Sequence, residues 1–94
     1  MLEAVKLALG ITVAAYDAEI QDLILAALRD LQIAGVEEAV ASDTTADPLI
    51  IQAVKTYCRA HFRSPADYDR LKAAYDEQKA QLMVATGYTN WGDQ

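Results

Sequence analysis

Cys58 and His61 are the chain's single cysteine and single histidine, three residues apart. On a helix that spacing puts them on one face, where an imidazole can activate a thiol. The sequence fixes no third residue to orient the histidine, and both positions fall on an apolar stripe. The pair is therefore expected to be core, with no catalytic residue in the chain. One cysteine and one histidine also fall short of a metal site, which needs more ligands at suitable spacing. The scattered carboxylates form no paired acid–base motif and read as solvated helix faces. No phosphate-binding loop occurs, so no cofactor is expected.

Two other groups carry a sharper signal. Lys55, Arg59 and Arg63 follow i, i+4, i+8 spacing, which places all three on one face of a helix. The plain reading is a solvated charged face. The functional readings are a contact with acidic residues of a neighbouring copy, or a wall facing a phosphate backbone. Pairing between copies is preferred, because three cations in a chain of net charge −6 and pI near 4.5 give little affinity for phosphate. Residues 1–46 hold eight acids, among them Glu37, Glu38 and Asp43, against Lys6 and Arg29. Residues 47–64 hold only Asp47 against the three cations. Surfaces of opposite sign on one protomer suit head-to-tail docking with the next. Tyr88 and Trp91, set among Gly87, Asn90 and Gly92, are the second group. Aromatics outside a helix are favoured interface anchors, so this tail either docks on a partner or folds back on the core.

The elements that must position these groups are helices. Leu2, Val5 and Leu9 share a face and Gly10 follows, predicting a short helix over 1–9. Ile11, Val13 and Tyr16 in the link beyond it are expected to tuck against the core. Asp17 is the expected N-cap of a helix over 17–34, with Ile20, Leu23, Ile24, Ala27, Leu28, Leu31 and Ala34 as its stripe and Gly35 as its stop. Leu25 and Ile33 fall off that stripe and either widen it or touch a neighbour. Val36 to Ala46 reads as an acidic loop. Asp47-Pro48 starts a helix over 48–63, with Ile50, Ala53, Val54, Tyr57, Cys58 and His61 facing inward. Ser64-Pro65, with Asp67 placed for a capping box, turns the chain sharply into a helix over 65–86. Tyr68, Leu71, Tyr75, Gln78 and Leu82 repeat along it. Residues 87–94 form the tail. The fold class is all-α: a small bundle of about four helices with a short extended C-terminal tail, in one domain over 1–94.

Bulk properties narrow the function. At 53% apolar residues the chain is not of disordered composition. Its apolar runs are short and broken by charge, so no membrane span is expected. The opening Met-Leu-Glu-Ala-Val-Lys lacks the basic start and apolar core of a signal peptide. A lone cysteine gives no internal disulfide and fits a reducing cytosol. A core this small makes association with further copies a plausible source of burial.

The order and spacing of Leu2-Glu3-Ala4-Val5-Lys6, Leu9-Gly10-Ile11, Asp17 with Ile20, Leu23, Ile24, Ala26 and Ala27, Asp47-Pro48-Leu49-Ile50, Ala53-Val54, Tyr57, Tyr68-Asp69-Arg70-Leu71, Tyr75 and Ala85-Thr86-Gly87-Tyr88-Thr89 resembles the small head–tail connector proteins of tailed bacteriophages. These are also called head-completion or DNA-packaging proteins. The resemblance implies a non-enzymatic subunit, made in the bacterial host cytoplasm and placed at the head–tail junction of a phage or prophage virion. It implies a homo-oligomeric ring of about a dozen copies under the portal protein. That ring would extend the channel for packaged DNA, without sequence-specific binding, and present a surface to the next head–tail joining protein. The interhelix loop and the chain ends would make the contacts: here the loop from Val36 to Ala46 and the tail from Gly87 to Gln94.

A rival reading from the residues alone is a small helical regulatory or nucleic-acid-binding protein that reads with its third helix. The Lys55/Arg59/Arg63 face supports it and the net charge opposes it.

Overall fold

The computed structural model describes residues 1–45, 47–63 and 65–84. Four helices make it up: α1 over Leu2–Leu9, α2 over Asp17–Ala34, α3 over Pro48–His61 and α4 over Tyr68–Val84. A single 3-10 turn over Ala14–Tyr16 precedes α2, and the described residues contain no strand.

Each boundary has a local cause. Gly10 ends α1 in the left-handed region at φ 75°, and the amides of Gly10 and Ile11 close back on the carbonyls of Leu7 and Lys6. Gly35 ends α2 at φ 122°, and the Val36 amide reaches Leu31 O. Asp47 caps α3 as predicted: its Oδ1 accepts from the Leu49 amide at 2.9 Å, with Pro48 at the first helical position.

Three termini depart from expectation. Asp17 is the first residue of α2, and no side chain caps that end. Its Oδ1 lies 2.7 Å from Lys6 Nζ instead, tying α1 to α2 through a lysine buried to 7% exposure. A stem packed on apolar surface with a paired head is the usual way to bury a lysine. α3 stops at His61, with Phe62 extended beyond it. α4 starts at Tyr68 rather than at residue 65. Tyr68 N donates to Pro65 O, and the Asp67 carboxylate pairs with Arg70.

α3 lies at the centre and packs on the other three helices, most extensively on α4. His61 at its end meets Tyr68 at the start of α4, and Leu49 at its start shares a groove with Gln81 and Leu82. The two helices therefore run antiparallel. Val5, Ile20, Ile24, Leu31, Ile50, Ala53, Val54, Cys58, Tyr75 and Leu82 make up most of one continuous core. Ile11 packs against it as expected, but Val13 and Tyr16 are exposed. Leu25 and Ile33, off the α2 stripe, are also exposed.

Candidate interaction surfaces

The predicted cationic stripe is shorter than its spacing suggests. Lys55 is half-buried and Arg59 exposed on the outer side of α3, and neither forms an ion pair among the described residues. Arg63 does not continue their line, because α3 has ended. It adopts φ 62°, a left-handed conformation unusual for a residue with a Cβ. Its Nη2 lies 3.4 Å from Glu19 Oε1, and its guanidinium sits 4.6 Å from the Tyr16 ring centroid and 5.1 Å from that of Phe62. Tyr16 and Phe62 meet edge to face at 5.8 Å. Arg63 thus clasps the α3–α4 corner to the start of α2.

Over its described residues the acidic loop is tied to the rest of the fold. Val36 and Ala41 anchor it in the core. The amides of Val40 and Ala41 both bond to Glu37 O, and Thr45 N donates to Ser42 O. From α2, Gln32 Nε2 donates to Ala41 O at 3.0 Å and Gln21 Nε2 to Asp43 Oδ2 at 3.1 Å. Glu38 and Asp43 are held exposed and Glu37 half-buried. Between the loop and α2 lies an open hollow of about 680 Å³, lined by Leu25, Arg29, Glu38, Ala39 and Asp43 among others. Leu25 therefore faces this hollow rather than the core.

Cys58 and His61 are not brought together. Cys58 is fully buried, and burial pushes its thiol up to about 12. The thiol is thus held as an inert core group rather than a thiolate. His61, expected on the inward stripe, is exposed and rests on Tyr57 at 4.3 Å and against Tyr68 at 5.7 Å. No cluster of three or more His, Cys, Asp or Glu among the described residues is arranged to hold a metal ion.

One polar arrangement has no counterpart in the sequence reading. Tyr75 Oη donates to Asp30 Oδ2 at 2.6 Å, and Lys79 Nζ lies 3.2 Å from the same oxygen. Burial first, then the Asp30 hydrogen bond and charge, raise the Tyr75 pKa above the ordinary tyrosine range. Burial, then Asp30, likewise raise that of Tyr57, which meets Tyr75 edge to face at 5.2 Å. The phenol is kept protonated as a donor, so the triad is a strut between α2 and α4, with no general base. Its signal was an acid at position 30, between the buried Ala27 and Leu31 of α2.

Tyr88 and Trp91 lie outside the described residues. A family model described as phage connector protein matches residues 1–89 of the chain. The chain belongs to the phage connector family. No curated protein and no solved structure matches it. The connector is thus a phage head–tail protein of a structural family. None of its described helices is long and apolar enough to cross a membrane.

Proposed function

We propose that copies of this connector dock head to tail into a closed ring of about a dozen at the portal vertex, extending the DNA channel and joining head to tail. The observation that carries this reading is a pair of oppositely charged surfaces that form no ion pair within one copy among the described residues. Lys55 and Arg59 have no partner acid among the described residues, while Glu37, Glu38 and Asp43 stand on a fixed loop of a different element. A contact between unlike patches propagates from copy to copy and closes when the rotation allows. Arg63 is outside this contact, because Glu19 and Tyr16 already engage it.

The portal protein and the next head–tail joining protein are the partners above and below the ring. Packaged DNA passes through without sequence-specific contact. Six net negative charges per copy give the wall no general grip on phosphate, so DNA can slide. Such a ring resides at the head–tail junction of the virion, after synthesis in the host cytoplasm, and performs no chemistry.

Native mass spectrometry over a wide concentration range tests the reading. A closed species of many copies is expected for the wild type. Arg59→Glu places like charges at the contact and should weaken association at least tenfold while far-UV circular dichroism stays unchanged. A discrete dimer, whose self-complementary contact cannot propagate, would refute the ring. Unchanged assembly of Arg59→Glu would remove the α3 face from it.

A further inference from the structure

The hollow of about 680 Å³ between α2 and the acidic loop combines two chemistries. Leu28 and Ala41, both buried, give it an apolar floor, and Leu25, 50% exposed, adds an apolar wall. Glu38 and Asp43 line its loop side, and Arg29 is its one cation. Arg29 Nη1 donates to Gln32 Oε1 at 3.2 Å and forms no ion pair among the described residues. Two acids against one cation leave the hollow negative. An apolar floor beneath a negative side suits a side chain with a long apolar stem and a cationic head.

Five of the chain's eight lysines and arginines are ion-paired within the copy, which leaves Arg29, Lys55 and Arg59. Lys55 is half-buried and Arg59 exposed. Arg59 borders a second open hollow, of about 230 Å³, with Ala8, Leu9, Phe62 and Leu71 beside it. The acid at that place, Asp67, is already engaged by Arg70. A guanidinium is more weakly hydrated than an ammonium, and apolar neighbours that exclude water make it an effective interface anchor. Arg59 is not among the residues that line the α2–loop hollow of its own copy, so the fitting occupant is Arg59 of a neighbouring copy.

We propose that the α2–loop hollow is the socket of the contact between copies. Arg59 of one copy enters it, its stem against Leu25 and its guanidinium toward Glu38 and Asp43, while the apolar surface around Arg59 closes on the rim. The assignment rests on the head-to-tail reading above and gives α2 a part in it. Arg29 then opposes the contact as a like charge and limits its strength.

Native mass spectrometry of full-length variants, with far-UV circular dichroism as the check on folding, tests the socket. Leu25→Gln removes the apolar wall and should weaken association several-fold. Helicity should hold, because Leu25 is half exposed and glutamine is a good helix former. Arg29→Gln should strengthen association several-fold, a gain that misfolding cannot produce. Glu38→Lys should weaken it at least tenfold, and the double variant with Arg59→Glu should return to within a few-fold of the wild type. Wild-type strength in both α2 variants would overturn the socket, because the loop acids would then act alone. Weaker association of Arg29→Gln would overturn it too, making Arg29 the anchor for an acid of the neighbour. So would a double variant no stronger than Glu38→Lys. Each of these leaves the head-to-tail reading standing if the wild type assembles. A wild type that stays single at every concentration would overturn that reading and the socket with it.

Discussion

Replacing Tyr75 with phenylalanine removes one oxygen and leaves the core shape intact. The ring keeps its edge-to-face contact with Tyr57 at 5.2 Å. What is lost is the 2.6 Å hydrogen bond to Asp30. A hydrogen bond to a charged group contributes about 1.5–3 kcal/mol. Asp30 is 38% exposed and keeps Lys79 at 3.2 Å, so its carboxylate can rehydrate. The expected loss therefore lies at the low end, about 1–2 kcal/mol. With a urea slope of about 1–2 kcal/mol/M, the midpoint should fall by about 1 M at unchanged slope. Asp30→Ala should cost more, about 2–3 kcal/mol, because it strands the buried Tyr75 hydroxyl and frees Lys79. The two losses should not add, since they share one bond: the double variant should reveal a coupling of about 1 kcal/mol. The pH dependence has a definite sign. A tyrosine with a raised pKa keeps its proton longer in the folded than in the unfolded chain. Its contribution is complete below the ordinary tyrosine value near 10 and declines above it, so the gap to Tyr75→Phe should narrow in alkali. An unchanged midpoint for Tyr75→Phe, or strict additivity with Asp30→Ala, would refute the strut.

Gly10→Ala tests backbone strain alone, because nothing lies within 4 Å of an added Cβ while φ is 75°. The cost should be about 1 kcal/mol, a fall of about 4–8 °C in Tm. An equal Tm would show that α1 ends without needing the left-handed residue. Cys58 should react with Ellman's reagent at neutral pH at least a hundredfold more slowly in the native protein than in urea, given its burial and its pKa of about 12. Rapid native labelling would mean that α3 opens readily.

How much was legible in the sequence depended on whether the deciding partner was local. α2 and α3 could be read because each pairs a periodic stripe with a terminator, Gly35 in one case and Asp47-Pro48 in the other. Asp17 misled because its preferred partner, Lys6, comes from another helix, and a cation at 2.7 Å outcompetes a cap. Arg63 was misplaced for a simple reason. Spacing arguments assume that the helix continues, and α3 stops at residue 61. His61 is the last residue of α3, where the ring contacts of Tyr57 and Tyr68 leave it exposed. Arg63, one residue past the extended Phe62, turns toward Glu19 rather than Arg59. The Asp30–Tyr75–Lys79 strut joins residues 45 and 49 positions apart, beyond any pattern along the chain. The surfaces had the opposite character. Charge segregation between the α2–α3 loop and α3 was plain from composition, but the hydrogen bonds that tie the loop to α2 were not, since Gln21 and Gln32 look like ordinary solvated residues.

Those ties bear on how the loop could be recognised. A free acidic strap would have to surrender conformational entropy each time it met a partner, weakening the contact by the ordering of every residue involved. Here two glutamine amides and two buried apolar anchors already hold part of the loop within the folded chain. The acids are presented like type set in a frame. A partner that docks on this loop, as proposed, would meet that arrangement as well as the charge, and a glutamine that carries no charge would then govern how the acidic surface is met.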